Sequence, residues 1–343
     1  MMTSICIAFK NDFDEIDSVV RHLLDTAQSD DLEILVYNDG SVYGSNKPRP
    51  LKLNYNNVRI INNSKSFGVG YSFDRCVEQA SGDIVILMGS DVYPREGWYE
   101  KVRNAVSRNP NTLGCAVCVG LNPERMDMDD PKCFKRYGAD LLFTVSNDDL
   151  PRDSALRLRR GGYTDLFKAK WLMGKQSDEP YAIPCVLGAM YFTTRAFWQK
   201  IHGFDTEINN KYCGHRMWGS LEPYISLKYW LSGEGCRLFS NIEAGHVFSR
   251  IDIYNQFSKG GRSAEWMFWN RLFMLETMIF DETLKRKLYN FMHPELNWNV
   301  AKKMIKDHWM EVQKVTERNR QLFIRDHTIF TEKFGYSFDI KNS

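Results

Sequence analysis

Gly82-Asp83-Ile84-Val85-Ile86-Leu87-Met88-Gly89-Ser90-Asp91 is an apolar run set between a Ser81-Gly82 break and a Gly-Ser-Asp turn. A short continuous apolar run bounded by breakers reads as a strand buried on both faces. Toward the N-terminus it is preceded by a helical stretch through Ala80, which opens after Gly68-Val69-Gly70, and by a short strand-like run, Val58 to Asn62. Glu33 to Tyr37 is another apolar run, closed by Asn38-Asp39-Gly40-Ser41, and before it Ile16, Val19, Val20, Leu23 and Leu24 recur at helical spacing. Ser4 to Phe9 is the first β-like segment. Strand and helix alternate, which predicts an α/β unit with a mostly parallel sheet over the first 120 residues. Ligands of such sheets sit beyond the carboxyl ends of the strands, so Phe9 to Asn11, Asn38 to Ser41 and Gly89 to Asp91 are expected to converge.

Downstream, a polar, basic stretch from about 122 to 177 holds Arg152, Arg157, Arg159, Arg160, Lys168 and Lys170. Sheet-like sequence resumes after it, so the stretch is expected to be an excursion over the binding face. Ile183 to Thr194 reads as a strand with Gly188 inside it, followed by a helix and the turn His202-Gly203-Phe204-Asp205. Trp218-Gly219-Ser220-Leu221-Glu222 then precedes a helix to Leu231, and a further strand leads into Gly245-His246-Val247-Phe248. From Ser263 the pattern is helical to the end, and the spacing of Trp266, Phe268, Trp269 and Phe273 suits core packing.

The composition fits a globular protein: 343 residues, 43% hydrophobic, with 45 Lys and Arg against 43 Asp and Glu. A net charge of +2 excludes a polycation but leaves a local basic patch open. The longest apolar runs, Ile84 to Met88 and Leu113 to Val119, fall far short of the roughly 20 residues of a spanning helix. The first residues lack the basic and long apolar regions of a secretory signal, so a cytoplasmic protein, of a bacterium or of a phage-infected cell, is expected. The eight cysteines fit reduced core residues, Cys115-x-x-Cys118 included, since no second ligand pair follows at finger spacing.

The order of these motifs resembles the GT-A glycosyltransferases, in particular the family 2 enzymes and the polypeptide N-acetylgalactosaminyltransferases, over roughly residues 3 to 280. The resemblance implies a GT-A fold, Rossmann-like with a mostly parallel central sheet, followed by a helical C-terminal extension. It divides residues 1–280 into a nucleotide-binding half (1–120), the excursion (121–180) and an acceptor and metal half (181–280), with the extension at 281–343. Ser4 to Asn11 is similar to the first strand and uridine-contacting loop, so Ala8, Phe9, Lys10 and Asn11 are implied donor contacts. In the acidic turn that usually reads the uracil, Asn38 fills the first position and Asp39 inherits the role. Gly68, Arg75, Ser90, Gly188 and Trp218 complete the implied donor pocket. Gly89 stands at the first position of the family's metal motif and Asp91 at the second, while His246 matches the His that completes the metal shell. Mn2+, or Mg2+, is the implied cofactor. Glu222 stands one place after the family's acceptor-side Glu and is the implied catalytic residue. Tyr254 to Gly261, with Ala264 to Met267, is similar to the loop and helix that close over the nucleotide.

Each residue also has an ordinary explanation. Asp39 and Asp91 suit Asx turns, a lone His is commonly structural, and an acidic residue in a helix's first turn is favoured by the macrodipole. The resemblance implies transfer of a hexosyl or pentosyl group from a nucleotide sugar, uridine-linked in the family's usual way, to an acceptor hydroxyl. The acceptor is expected to be a glycan. The alternatives are a hydroxylated or hydroxymethylated base of phage DNA, motivated by the Arg-rich excursion, and a catalytically inactive binding module, motivated by Gly89 and the displaced Glu222. Lys10, Arg75, Arg250 and Arg262 are the cations available to share the diphosphate charge. Neither the sugar nor the oligomeric state follows from the residues.

Overall fold

A computed structural model describes residues 1–43, 47–142, 167–174, 177–206, 219–248, 263–291 and 296–336. The first half runs β1 (Thr3–Phe9), α1 (Phe13–Ala27), β2 (Leu32–Asn38), a small hairpin of β3 (Val42–Tyr43) and β4 (Lys47–Pro48), then β5 (Val58–Asn62), α2 (Val69–Gln79), β6 (Ile84–Gly89), β7 (Val92–Pro94), α3 (Trp98–Arg108) and β8 (Leu113–Leu121). The middle contributes β9 (Lys135–Arg136), β10 (Ala139–Leu142), β11 (Lys168–Trp171), β12 (Tyr181–Ile183), β13 (Met190–Thr194) and α4 (Arg195–Lys200). Then come α5 (Leu221–Ser232), β14 (Cys236–Val247), α6 (Ser263–Met278), α7 (Glu282–Phe291), α8 (Leu296–Asp307), α9 (Trp309–Leu322) and α10 (Thr328–Phe334).

Among the described residues a ten-stranded sheet has the order β12-β14-β8-β13-β6-β1-β2-β5, with β7 added to β14 and β9 to β8. Strands β1, β2, β5 and β6 are mutually parallel, as are β8 and β14, and β13 runs antiparallel between β6 and β8. Every residue of β2 and β8 is buried, which is why both read as continuous apolar runs rather than alternating ones. The two faces carry separate cores. Ile16, Val19, Val20 and Leu23 of α1 pack with Trp98 and Val102 of α3 on one. Phe73 of α2, Trp198 of α4, most of α5 and the C-terminal helices pack on the other.

One expected strand is two. The run Ile183 to Thr194 breaks between β12, which pairs antiparallel with β14, and β13, three places further along the sheet between β8 and β6. Gly188 lies in the connection, not within a strand. The run is apolar throughout because the connection is itself buried, with Val186, Leu187 and Ala189 at 3% exposure or less. No described helix is long and apolar enough to cross a membrane.

The helices after residue 281 pack on the sheet-covering layer. Leu284, Leu288, Ala301, Ile305, Val312, Val315 and Phe330 belong to the same buried cluster as Trp230 and Phe273. Polar contacts reinforce the seam, since the Ile324 and Arg325 amides donate to the Leu231 carbonyl at 2.9 and 3.2 Å. Seven cysteines are described and none forms a disulfide, and Cys6, Cys76, Cys115, Cys118, Cys185 and Cys236 are buried.

Candidate functional site

The three loops expected to converge are tied to one another. The Asp39 amide donates to the Phe9 carbonyl (2.8 Å), and the Asn11 amide donates to Ser41 Oγ (2.9 Å) while Asn11 Oδ1 accepts from the Val42 amide (2.9 Å). Asn11 holds this double contact from a left-handed backbone, φ 60°, a conformation that asparagine tolerates better than most residues. Ser90 Oγ donates to Asp12 Oδ2 (2.9 Å), which joins the third loop.

Asp39 is buried, and its carboxylate accepts from Ser66 Oγ (2.6 Å) and from the amides of Phe67 (2.7 Å) and Gly68 (3.0 Å). Lys10 Nζ donates to the same Ser66 hydroxyl (2.9 Å). Asp39 therefore shapes the loop that starts α2, and Gly68, at φ 97°, is required there because a left-handed backbone disfavours any Cβ. Asn38 is consumed by structure as well: its amide donates to the Arg49 carbonyl (2.9 Å) and Asn62 Oδ1 (2.8 Å). Ala8 and Phe9 end β1, and the buried Phe9 ring packs edge-on against Phe13 (4.9 Å). Arg75, on α2, pairs with Glu78 and lies over the Tyr71 ring at 5.2 Å.

Asp91 and His246 meet at the carboxyl edge of the sheet. Pairing of β7 with β14 sets His246 opposite Val92, and the Val247 amide donates to the Asp91 carbonyl (3.1 Å). Asp91 Oδ1 then lies 3.7 Å from His246 Nε2, beyond hydrogen-bond range. Burial lowers the His246 pKa, with Asp91 opposing the shift, so the neutral imidazole that metal ligation needs is favoured. His246 Nδ1 is buried without a hydrogen-bond partner among the described residues. Gly89 explains how a single carboxylate fills this corner. A Cβ there would come within 2.6 Å of Asp91 Oδ1, so the Asp91 side chain occupies the room that a residue at 89 would use. No cluster of three or more His, Cys, Asp or Glu able to hold a metal is present among the described residues.

Glu222 lies in the first turn of α5, after Gly219 and Ser220, both with positive φ. Its carboxylate lies over Gly188, where a Cβ would come within 2.3 Å of Glu222 Oε1. Met190 pairs with Met88, so Gly188 reaches the same end of the sheet as Gly89 to Asp91. Burial pushes the Glu222 carboxyl pKa up. Trp218, Arg250, Arg262, Tyr254 to Gly261 and Arg152 to Arg160 lie outside the described residues, as do Cys213 and His215.

Two groups were not visible in the sequence. Phe248 is 4.0 Å from the His246 ring and is flanked by Trp171 (5.5 Å) and Phe134 (5.2 Å), with Arg136 over Phe134 at 4.6 Å. The three rings are 37–46% exposed, an apolar surface that adjoins the Asp91–His246 corner. They are far apart in the chain and meet only because β9 joins β8 and β10 pairs with β11. The second group is a buried ionic network behind Glu222. Asp205, fully buried, accepts from Lys228 Nζ (2.9 Å), Tyr224 and Arg318, and nearby Asp74 accepts from Thr206 Oγ1 (2.6 Å), Trp198 Nε1 (3.2 Å) and the Phe204 amide (3.1 Å).

With this geometry in place, the likeness to known proteins is direct. The solved structure of GalNAc-T7 with UDP, GalNAc and Mn2+ superimposes with a TM-score of 0.60, covering 98% of this chain and 57% of that one at 15% identity. The fold is GT-A. The Glycosyl transferase family 2 model matches residues 4–161, the segment that holds the three convergent loops, Gly68, Arg75 and Asp91. Among curated relatives, polypeptide N-acetylgalactosaminyltransferase 5 of Caenorhabditis elegans is 22% identical over 265 residues, or 74% of this chain and 38% of its own length. Polypeptide N-acetylgalactosaminyltransferase 4 of Mus musculus is 23% identical over 315 residues, or 83% and 48%. The chain thus spans less than half the length of these two relatives. On the GT-A frame, Asp91 and His246 stand at the carboxyl edge of the central sheet, and the C-terminal helices cover one of its faces.

Proposed function

We propose that this protein transfers a sugar from a nucleotide-sugar donor, uridine-linked, to an acceptor hydroxyl. The observation that carries the reading is the apposition of Asp91 and His246 at the carboxyl edge of a GT-A sheet, 3.7 Å apart and not hydrogen-bonded to one another. A carboxylate and a neutral imidazole form a donor set suited to Mn2+, or to Mg2+ with more of its shell from phosphate and water. Asp91 and His246 would hold that cation, which when bound offsets the charge developing on the departing diphosphate. Asp39, bound to the Ser66–Gly68 loop, keeps Lys10 and the amide-rich start of α2 beside the donor pocket. Glu222, with its raised pKa, is suited to hold a hydrogen bond to an acceptor hydroxyl or to take its proton.

The acceptor side is assigned to the exposed trio Phe134, Trp171 and Phe248, which presents ring faces to a sugar ring. A glycan is the favoured acceptor. The same rings, with Arg136 beside them, would also suit an extruded, hydroxylated DNA base, which is the second reading.

The test is release of free nucleotide from UDP-GlcNAc, UDP-GalNAc and UDP-glucose, measured with manganese and with chelator. Metal-dependent turnover is expected, reduced at least ~100-fold in His246→Ala and Asp91→Asn, the size of losing one strong electrostatic stabiliser. Tight donor binding without turnover, over a panel of glycan and hydroxymethylated-DNA acceptors, would instead favour the inactive binding module.

A further inference from the structure

Helices α6, α7 and α9 line an open, solvent-facing cavity of about 450 Å³, and none of its lining residues belongs to the site at the sheet edge. Its floor is internally satisfied. The Tyr289 hydroxyl donates to Glu276 Oε1 (2.7 Å), and Lys285 Nζ lies 3.6 Å from Glu276 Oε2 and donates to Glu282 (3.0 Å). Its rim is not. Trp309 is 45% exposed and stacks on no other ring among the described residues. Exposed Gln313 and Arg286 form no hydrogen bond or ion pair among the described residues, and the Arg320 guanidinium rests over Phe280 at 4.8 Å.

The chemistry of this rim selects among ligand classes. An exposed indole face is an apolar platform for the C–H face of a sugar ring. Sugar hydroxyls donate and accept, and the rim supplies both partners: acceptors from Glu282 and Gln313, donors from Gln313, Arg286 and Arg320. A phosphate accepts only, and here three cationic side chains face two carboxylates, which leaves a polyanion little net attraction. The volume falls within the roughly 300–1,000 Å³ of ligand pockets and has room for a short saccharide.

We propose that this cavity is a saccharide-binding site, separate from the donor pocket, that engages a neutral sugar of the acceptor glycan. Its part in holding the acceptor rests on the glycan reading above, whereas sugar binding itself does not.

Full-length protein labelled with 5-fluorotryptophan tests it by 19F NMR, the Trp309 line being the one lost in Trp309→Phe. Without donor, neutral hexoses, N-acetylhexosamines and short oligosaccharides are titrated, with inorganic phosphate and an oligonucleotide in parallel. A saturable shift of the Trp309 line by a neutral saccharide is expected, with a dissociation constant on the order of 1 mM. Gln313→Ala should weaken it several-fold while leaving the melting temperature unchanged, and Arg320→Ala should weaken it as well, with a small fall in melting temperature from loss of the contact with Phe280. A Trp309 line that no saccharide moves, or that only phosphate or the oligonucleotide moves, overturns the proposal. Because no donor is present, failure of sugar transfer leaves this result intact, and absence of binding here leaves donor turnover unaffected.

Discussion

At the scale of single residues, the contact between Gly188 and Glu222 gives the sharpest expectation. A methyl group at 188 would meet Glu222 Oε1, the far end of a flexible side chain, so Gly188→Ala should displace the carboxylate at a cost of no more than about 1 kcal/mol of stability, and shortening the partner in Gly188→Ala/Glu222→Ala should recover most of it. Additive losses in chemical denaturation would show that the two do not touch. Glu222→Gln keeps the shape, and a large fall in turnover with unchanged melting would mark a role in the reaction; unchanged turnover would leave Glu222 as a helix-start residue. Buried Asp74 yields a pH expectation. Desolvation raises its pKa to about 6, opposed by its hydrogen bonds from Thr206 and Phe204 and by Lys228. The folded state therefore binds this proton more tightly than the unfolded one, whose Asp titrates near 3.9. The resulting stabilisation is full below about pH 4 and is lost as pH rises through about 6, a swing on the order of 2–3 kcal/mol. Asp74→Asn should flatten stability between pH 4 and 7, and an unchanged slope would contradict the assignment. The placement of Gly89-Ser90-Asp91 at the end of β6 was readable, because it follows from a local apolar run and its breaker. The use of Asp39 was not, because its partners Ser66 to Gly68 lie 27–29 residues away and offer only backbone and hydroxyl groups.

At the scale of elements, β1, β2, β6 and β8 were legible because each is a buried strand written as an apolar run, whereas β5, the half-exposed edge strand Val58–Asn62, was legible from its β-branched residues alone. The split of Ile183 to Thr194 was not, since a buried connection and a buried strand have the same composition. Nor was the ionic network, because Asp205, Lys228 and Arg318 come from a turn, α5 and α9. That network joins the helix beginning with Glu222 to the C-terminal extension. Lys228 is wholly buried and paired with Asp205, so Lys228→Met should destabilise the protein by about 3–5 kcal/mol through the unbalanced carboxylate left behind. Arg318→Met leaves the Lys228–Asp205 pair in place and should cost less, with amide-exchange protection falling in α9 more than in β6. The reverse order of losses in denaturant titrations would show that Arg318 is the principal partner.

At the scale of the whole molecule, the helical extension is continuous with the core, since Leu284, Ala301, Val315 and Phe330 share one buried cluster with Trp230 and Phe273. Calorimetry should then show one unfolding transition, and a separate low-temperature transition for the extension would contradict this continuity. The GT-A architecture was foreseen from motif order, whereas the exposed rings beside His246 and the cavity among the last helices needed coordinates, as they join residues with no local pattern. The central claim is that Asp91 and His246 make donor binding depend on a divalent cation. The most direct test is the thermal shift of the full chain with UDP, GDP, CDP and TDP, each with manganese, magnesium or chelator. A ligand at about 100 times its dissociation constant adds roughly 2.7 kcal/mol, enough to be seen. The account predicts a shift with UDP that requires manganese or magnesium and vanishes in His246→Ala; an equal shift in chelator, or none with any nucleotide, would contradict it.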